Sequence, residues 1–164
     1  MKKMFLALAV VCLGLASCKQ NESAPPISKD EATKAVDQLF DGFNSAFSKK
    51  DAAAMGNYLS DDGLYLGTDP EEFFSKERVM QEVSTMAQDT TVNANYIIDK
   101  REIRLSPDGQ MALVVEQTTV PFLGRIPARM IGHASMKEGQ WKIDFYSWNL
   151  IPKNEMLKKL SDAY

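Results

Sequence analysis

VNANYIIDKREIRLSPDGQMALVVEQTTV, residues 92–120, is the stretch that decides the fold. At its centre Ser106-Pro107-Asp108-Gly109 forms a turn: the proline presets one backbone dihedral and the glycine accepts a positive one. The flanking segments, Val92 to Leu105 and Met111 to Val120, are rich in aromatic and β-branched residues, the composition of strands. A short turn between two long strands makes a hairpin, so the sheet is expected to be antiparallel. The pattern repeats downstream, where Ala128 to Met136 and Trp141 to Leu150 flank a second turn at Lys137-Glu138-Gly139-Gln140. Asn154 to Asp162 is expected to close the chain as a helix.

Upstream of this meander the periodicity is helical. Ser28-Lys29-Asp30-Glu31 fits a capping box, with Ile27 placed to staple onto Ala32. Ala32, Ala35, Val36, Leu39, Phe40, Phe43, Ala46 and Phe47 follow at three-and-four spacing, which predicts an amphipathic helix. Asp51 can cap a short second helix through Tyr58. Asp61-Asp62-Gly63 reads as a turn before a short strand, Leu64-Tyr65-Leu66. Thr68-Asp69-Pro70 is a loop, and Ser75 can cap a third helix with Val79, Met80, Val83, Met86 and Ala87 on its apolar face. Helices first and then long strands give an α+β class, with N-terminal helices packed on a curved antiparallel sheet.

The N-terminus carries an address. Lys2 and Lys3 precede an apolar run, Phe5 to Leu15, which is shorter than the ~20 residues of a spanning helix. Leu15-Ala16-Ser17-Cys18 then resembles the lipobox of a bacterial lipoprotein signal peptide. The expected organisation is a signal segment over 1–17, acylated Cys18 with a polar Pro-Pro linker to residue 27, and a domain over 28–164. Cys18 would hold the chain on a membrane of the bacterial cell envelope. Lys19 follows where an aspartate would argue for inner-membrane retention, so the outer membrane is favoured. Cys12 would leave with the signal, so the mature domain would have no thiol, hence no disulfide and no thiolate metal site.

The remaining composition narrows the partners. Formal charge is −3 and no basic block appears beyond pairs such as Lys49-Lys50 and Lys158-Lys159, so nucleic acid is not expected. Gly-rich phosphate loops, nucleophile elbows and paired metal motifs are missing from the sequence; no cofactor and no metal is expected.

Several features in order and spacing carry a resemblance. They are the helix–helix–strand start running into Leu66-Gly67-Thr68-Asp69-Pro70-Glu71-Glu72, then Leu105-Ser106-Pro107-Asp108-Gly109, then Trp141-Lys142-Ile143 with Pro152 and Asn154 just after the closing strand. Over about residues 29–155 the chain resembles the SnoaL-like branch of the nuclear transport factor 2-like superfamily. The resemblance implies a cone-shaped fold with a deep apolar cavity and often a homodimer through the outer sheet face. It does not imply one chemistry, because members include isomerases, cyclases, dehydratases and proteins without a reaction. Its steroid isomerases use a tyrosine on the first helix, where this chain presents Phe40, Phe43 and Phe47.

Candidate catalytic bases are Glu116, Asp69 and His133. Glu116 stands mid-strand and, if buried, needs a partner; Arg129 on the next strand is a candidate, with the register left open by the Pro121-to-Pro127 loop. Asp69 reads first as a turn residue before proline. His133 and Arg129 share one strand face, either solvated or lining the cavity. Tyr65, Tyr96, Arg129, Tyr146 and Trp148 are the expected cavity residues, with Tyr146 and Trp148 on one face with Lys142 and Asp144. The leading expectation is a module that binds a small apolar or amphipathic ligand without catalysis. An isomerase, cyclase or dehydratase working by proton transfer, and a dimeric interaction module, stay open beside it.

Overall fold

The computed structural model describes residues 28–124 and 126–163. The expected signal segment, Cys18, the linker and the Ile27 staple lie outside them. Helix α1 spans Lys29–Ser48, α2 Ala52–Gly56 and α3 Lys76–Gln88. The strands are β1 Leu59–Leu66, β2 Phe73–Phe74, β3 Ile97–Leu105, β4 Met111–Thr119, β5 Ala128–Lys137 and β6 Gln140–Leu150. They form one open, curved sheet in the order β2-β1-β6-β5-β4-β3. A single helical turn at Pro121–Leu123 joins β4 to β5, and the C-terminus ends in a 3-10 turn and a short helix α4, Leu157–Ser161. Among the described residues, no helix is long and apolar enough to cross a membrane.

Local chemistry accounts for these elements. Ser28 and Glu31 cap α1 reciprocally, side chain to backbone in both directions, satisfying donors that the first turn leaves orphaned. Asp51 and Ser75 cap α2 and α3 through Ala54 N and Arg78 N. The β5–β6 turn has positive φ at both Glu138 and Gly139, the backbone twist that a two-residue hairpin needs. Asn93 and Asn95 stay outside β3, which begins at Ile97 rather than Val92.

α1 lies across the concave sheet face and buries Val36, Phe40, Phe43 and Phe47 there. Each such side chain contributes roughly 1.5–3 kcal/mol when withdrawn fully from water. Gly132 on β5 allows the approach: a Cβ there would stand 2.6 Å from the Phe40 ring. The sheet is antiparallel except where β1 runs parallel to β6, a departure from the antiparallel expectation, made by the long crossover from β1 to β6.

Beside a register shift on β3 between Ile98 and Lys100, two irregularities reset the faces near the cavity. The Asp61-Asp62-Gly63 turn signal is an irregularity inside β1, between the Leu59 and Leu64 pairings with β6. Gly63 leaves room there for the Tyr65 hydroxyl, which a Cβ would meet at 2.1 Å. On β6 the register shifts so that Phe145 opposes His133 and Ile143 opposes Ala134. Asp144 is the extra residue, and bulges of this kind re-aim the side chains around them. Ile143 is therefore on the inner face with Tyr146 and Trp148, while Asp144 joins His133 outside; the expected face of Tyr146, Trp148, Lys142 and Asp144 is broken by this insertion.

Candidate functional site

The wide end of the concave face holds a cavity of about 410 Å³, in the range of small-molecule sites. Phe43 and Phe47 of α1, Val79, Val83 and Met86 of α3, and Tyr146 and Trp148 of β6 form most of its wall. The Gly67–Glu72 loop and Phe74 close one side, and Phe122 and Leu123 of the helical turn close another. Phe47 packs on Trp148 with ring centroids 5.8 Å apart, and Phe43 on Tyr146 at 5.6 Å. The aromatic wall is thus braced by its own contacts.

Polar groups in this wall are few. Tyr146 is only 5% exposed, yet its hydroxyl makes no hydrogen bond to any described residue. Burial, then Tyr65 and the Glu72 carboxylate, push its ionisation far above the usual phenol range, so it stays a protonated donor. The half-buried Trp148 also lines the cavity. Buried donors normally find an acceptor. A hydroxyl that can both donate and accept, set in an apolar wall, is the arrangement that orients a ligand carrying a carbonyl, hydroxyl or amine.

A second polar assembly lies beneath the wall. Glu116 is completely buried. Its carboxylate accepts from Arg101 Nε at 2.6 Å, from the Tyr96 hydroxyl at 2.6 Å and from Asn44 Nδ2 at 3.1 Å. Arg101 Nη2 also stands 2.6 Å from the same carboxylate, outside hydrogen-bonding alignment. Arg101 continues outward to Asp37 and, at 2.8 Å, to Asp41 on α1. Burial works against the guanidinium, but the Asp37 hydrogen bond and the Glu116 charge outweigh it and hold it firmly protonated. Tyr96 is held neutral by burial and then by the Glu116 carboxylate it donates to. Its ring packs edge-on against Phe47 and Trp148, so Tyr96 stands between the carboxylate and the cavity. The cluster pins α1 to β3 and β4.

The candidate Glu116–Arg129 pair is therefore not formed. Gln117, not Glu116, is opposite Arg129, and adjacent residues on a strand point to opposite faces. Arg129 is exposed on the outer face, 3.5 Å from Gln117 Oε1, and does not line the cavity. His133 is also on the outer face, with Nδ1 2.5 Å from Asp144 Oδ1, and Ser135 donates to the other Asp144 oxygen at 2.5 Å. Asp69 is an exposed turn residue whose Oδ1 accepts from Glu71 N at 3.0 Å. None of the three candidate bases borders the cavity. Tyr65 is buried behind Tyr146, ring centroids 4.9 Å apart, with its hydroxyl 2.9 Å from the carbonyls of Ser60 and Ile143. Of the five expected cavity residues, Tyr146 and Trp148 line it.

Residues missed by the sequence reading include Arg101 and Glu72. Arg101 was open to discovery, because counting outward from the Ser106–Gly109 turn brings it opposite Glu116. Glu72 sits in an aperiodic loop, where nothing in the sequence marks which way it faces. Among the described residues, no group of three His, Cys, Asp or Glu side chains is arranged to hold a metal ion.

Comparison with known proteins accords with this architecture. The family described as SnoaL-like domain matches residues 36–148. A structure from Nostoc punctiforme, described as a protein of unknown function with a cystatin-like fold, superposes with a TM-score of 0.62 at 15% identity, covering 79% of this chain and 97% of that one. An NTF2-like protein of unknown function from Silicibacter pomeroyi gives 0.60 at 13% identity, covering 76% and 100%. An NTF2-like protein from Cytophaga hutchinsonii gives 0.61 at 15%, covering 73% and 98%. These likenesses establish the fold alone. No curated protein matches the sequence.

Proposed function

The chain belongs to the SnoaL-like domain family, and from that premise we propose that it is a lipid-anchored protein of the bacterial envelope whose cavity holds a small apolar or amphipathic molecule. The observation that carries the binding reading is the unpartnered Tyr146 hydroxyl on the wall of a 410 Å³ aromatic cavity. An apolar body fills the space between α1, α3 and β6, and one polar group of the ligand meets Tyr146. Binding of this kind draws on about 25 cal/mol for each Å² of apolar surface withdrawn from water. The placement of Glu116, Asp69 and His133 away from the cavity favours holding over proton transfer by those groups.

The neutral fluorophore N-phenylnaphthylamine tests the cavity. Saturable emission with energy transfer from Trp148, lost on filling the space with Val83→Trp and weakened by the milder Val83→Phe, is the expected result. Absence of saturable binding to the wild-type protein would sink the reading. The anchor has a separate test. Metabolic labelling with an alkynyl fatty acid should mark the wild-type chain and not Cys18→Ala; an unlabelled wild type refutes it. On this reading the anchor sits in the outer membrane, which density-gradient separation of the two membranes checks.

A second reading, self-association through the outer sheet face, draws on one observation. Leu64, Phe145, His133 and Leu113 follow one another across four strands, and Leu64, Met111 and Leu113 are each more than 40% exposed. Exposed apolar rows of this kind mark interaction surfaces. Sedimentation equilibrium of wild type against Leu113→Lys decides it: a monomer in both counts against the dimer.

A further inference from the structure

We infer that the cavity selects an amphipathic cation, an amine or quaternary ammonium compound with an apolar body, over neutral and anionic molecules of the same shape. This rests on the binding reading above and adds the charge of the ligand to it.

Charge around the cavity is one-sided. Glu72, Glu82 and Asp89 border it, and none of the described residues lining it is Lys, Arg or His. The three carboxylates are not equivalent. Glu82 is ion-paired with Arg78 at 2.5 Å. Asp89 caps the end of α3, accepts from Thr91, and has Lys50 Nζ on its backbone carbonyl at 2.7 Å. Glu72 has a single partner, the backbone N–H of Asp69 at 2.9 Å, and no cation within ion-pair distance among the described residues. It lies over Gly67, where a Cβ would stand 1.9 Å from its Oε2; the glycine lets this carboxylate sit in the cavity wall. Its charge is felt by Tyr146, whose ionisation it helps suppress.

Lys50 already meets the carbonyl at the end of α3, so the negative field at the cavity is set by the side chains. Aromatic faces supply the rest, since a cation is attracted to the negative face of Trp, Tyr or Phe. An anionic head such as a fatty carboxylate would meet Glu72 with no cation to offset it. The Tyr146 residue is 5% exposed and lines the cavity, so its hydroxyl would receive a polar group of the ligand at depth rather than at the surface. A protonated amine seated between the Glu72 carboxylate and the Tyr146 oxygen donates to both, and a quaternary ammonium group meets them through its charge alone.

Three probes of matched shape separate this inference from the reading beneath it: phenylbutylamine, phenylbutanol and phenylbutyrate, a cation, a neutral molecule and an anion near neutral pH. Each competes with N-phenylnaphthylamine on the purified protein. The amine should bind at least about tenfold more tightly than the acid, a difference of about 1.4 kcal/mol, with the alcohol between them. Glu72→Gln should reduce the amine's advantage over the acid to about threefold or less, and raised salt should shrink the wild-type preference. Equal affinities, a preference for the acid, or a preference that survives Glu72→Gln overturns the inference and leaves the binding reading standing. Failure of all three probes and of the fluorophore overturns both.

Discussion

Removing Arg101 is the sharpest test of the buried cluster. Arg101→Leu takes away the only cation, among the described residues, next to a carboxylate that has no solvent exposure. Asn44 and Tyr96 remain as neutral donors. Stripping one partner from a buried ion pair costs about 3–5 kcal/mol. The structure suggests where in that range the loss falls, because the carboxylate has an escape: it can take up a proton. An unfolded glutamate ionises near pH ~4.3, so protonating it at about pH 7 costs about 3.7 kcal/mol, at 1.36 kcal/mol per unit. The exposed ends of the network, Asp37 and Asp41, add at most about 1 kcal/mol between them. Destabilisation of about 3–4 kcal/mol near neutral pH follows. The sign with pH is fixed by linkage: the folded variant binds its proton more tightly than the unfolded chain, so the penalty is absent below the unfolded ionisation range and grows as pH rises above it. By about pH 5 the protonation cost falls to about 1 kcal/mol. Urea unfolding followed by circular dichroism at a series of pH values measures this directly. Arg101→Lys, which keeps a charge but loses the planar fork, should lose less and show little pH dependence. A penalty for Arg101→Leu that is flat across the acid range, or under about 1 kcal/mol at neutral pH, refutes the assignment of Glu116 as a buried charge held by Arg101.

Other consequences can be checked alongside. Gly132→Ala puts a methyl group against Phe40, and overpacking of this sort should cost about 1–3 kcal/mol; Phe40→Leu in the same chain should recover part of it in thermal melts. Asp62 is held down to about 2 by hydrogen bonds from Lys137 and Ser60 and by the Lys137 charge. Its contribution to stability is present above the unfolded carboxylate range and is lost as pH falls through about 2. Carboxyl-selective NMR titration of Lys137→Ala should bring Asp62 back towards an ordinary aspartate, and an unmoved resonance rejects the pairing. Tyr146→Phe should weaken phenylbutanol about three- to tenfold, as expected for one hydrogen bond of about 0.5–1.5 kcal/mol, and leave N-phenylnaphthylamine nearly unchanged; equal loss for both would place the hydroxyl elsewhere.

Elements with a local cause were legible in the sequence. The α1 cap, the Asp51 and Ser75 caps and the Glu138-Gly139 hairpin are all written in a few adjacent residues, and each is where its chemistry puts it. Elements whose cause is distant were not. Asp61-Asp62-Gly63 has the composition of a turn, but β6 holds it inside a strand as a bulge. The Asp144 insertion cannot be read from an alternation that assumes regular pairing, and it moved two residues from one face to the other. A shift of one residue inverts every side chain beyond it, so one undetected bulge is enough to misplace a candidate site.

Glu116 shows how the same limit bears on function. A carboxylate in the middle of an apolar strand invites two explanations, a base or an ion pair, and the choice turns on which strand supplies the neighbour. β4 has two neighbours. The hairpin to β3 has its register set by the Ser106–Gly109 turn, whereas the connection to β5 passes through the Pro121–Leu123 helical turn and carries no register of its own. The hairpin is thus the neighbour whose register the sequence pins, and it brings Arg101 opposite Glu116. Once Arg101, Tyr96 and Asn44 surround it, Glu116 has its lone pairs occupied, and Tyr96 separates it from the cavity. A base must reach the proton it removes. The groups that do reach the cavity are of another kind: the Tyr146 hydroxyl on β6 and the Glu72 carboxylate in a loop, positioned to recognise a ligand by its polar group and its charge.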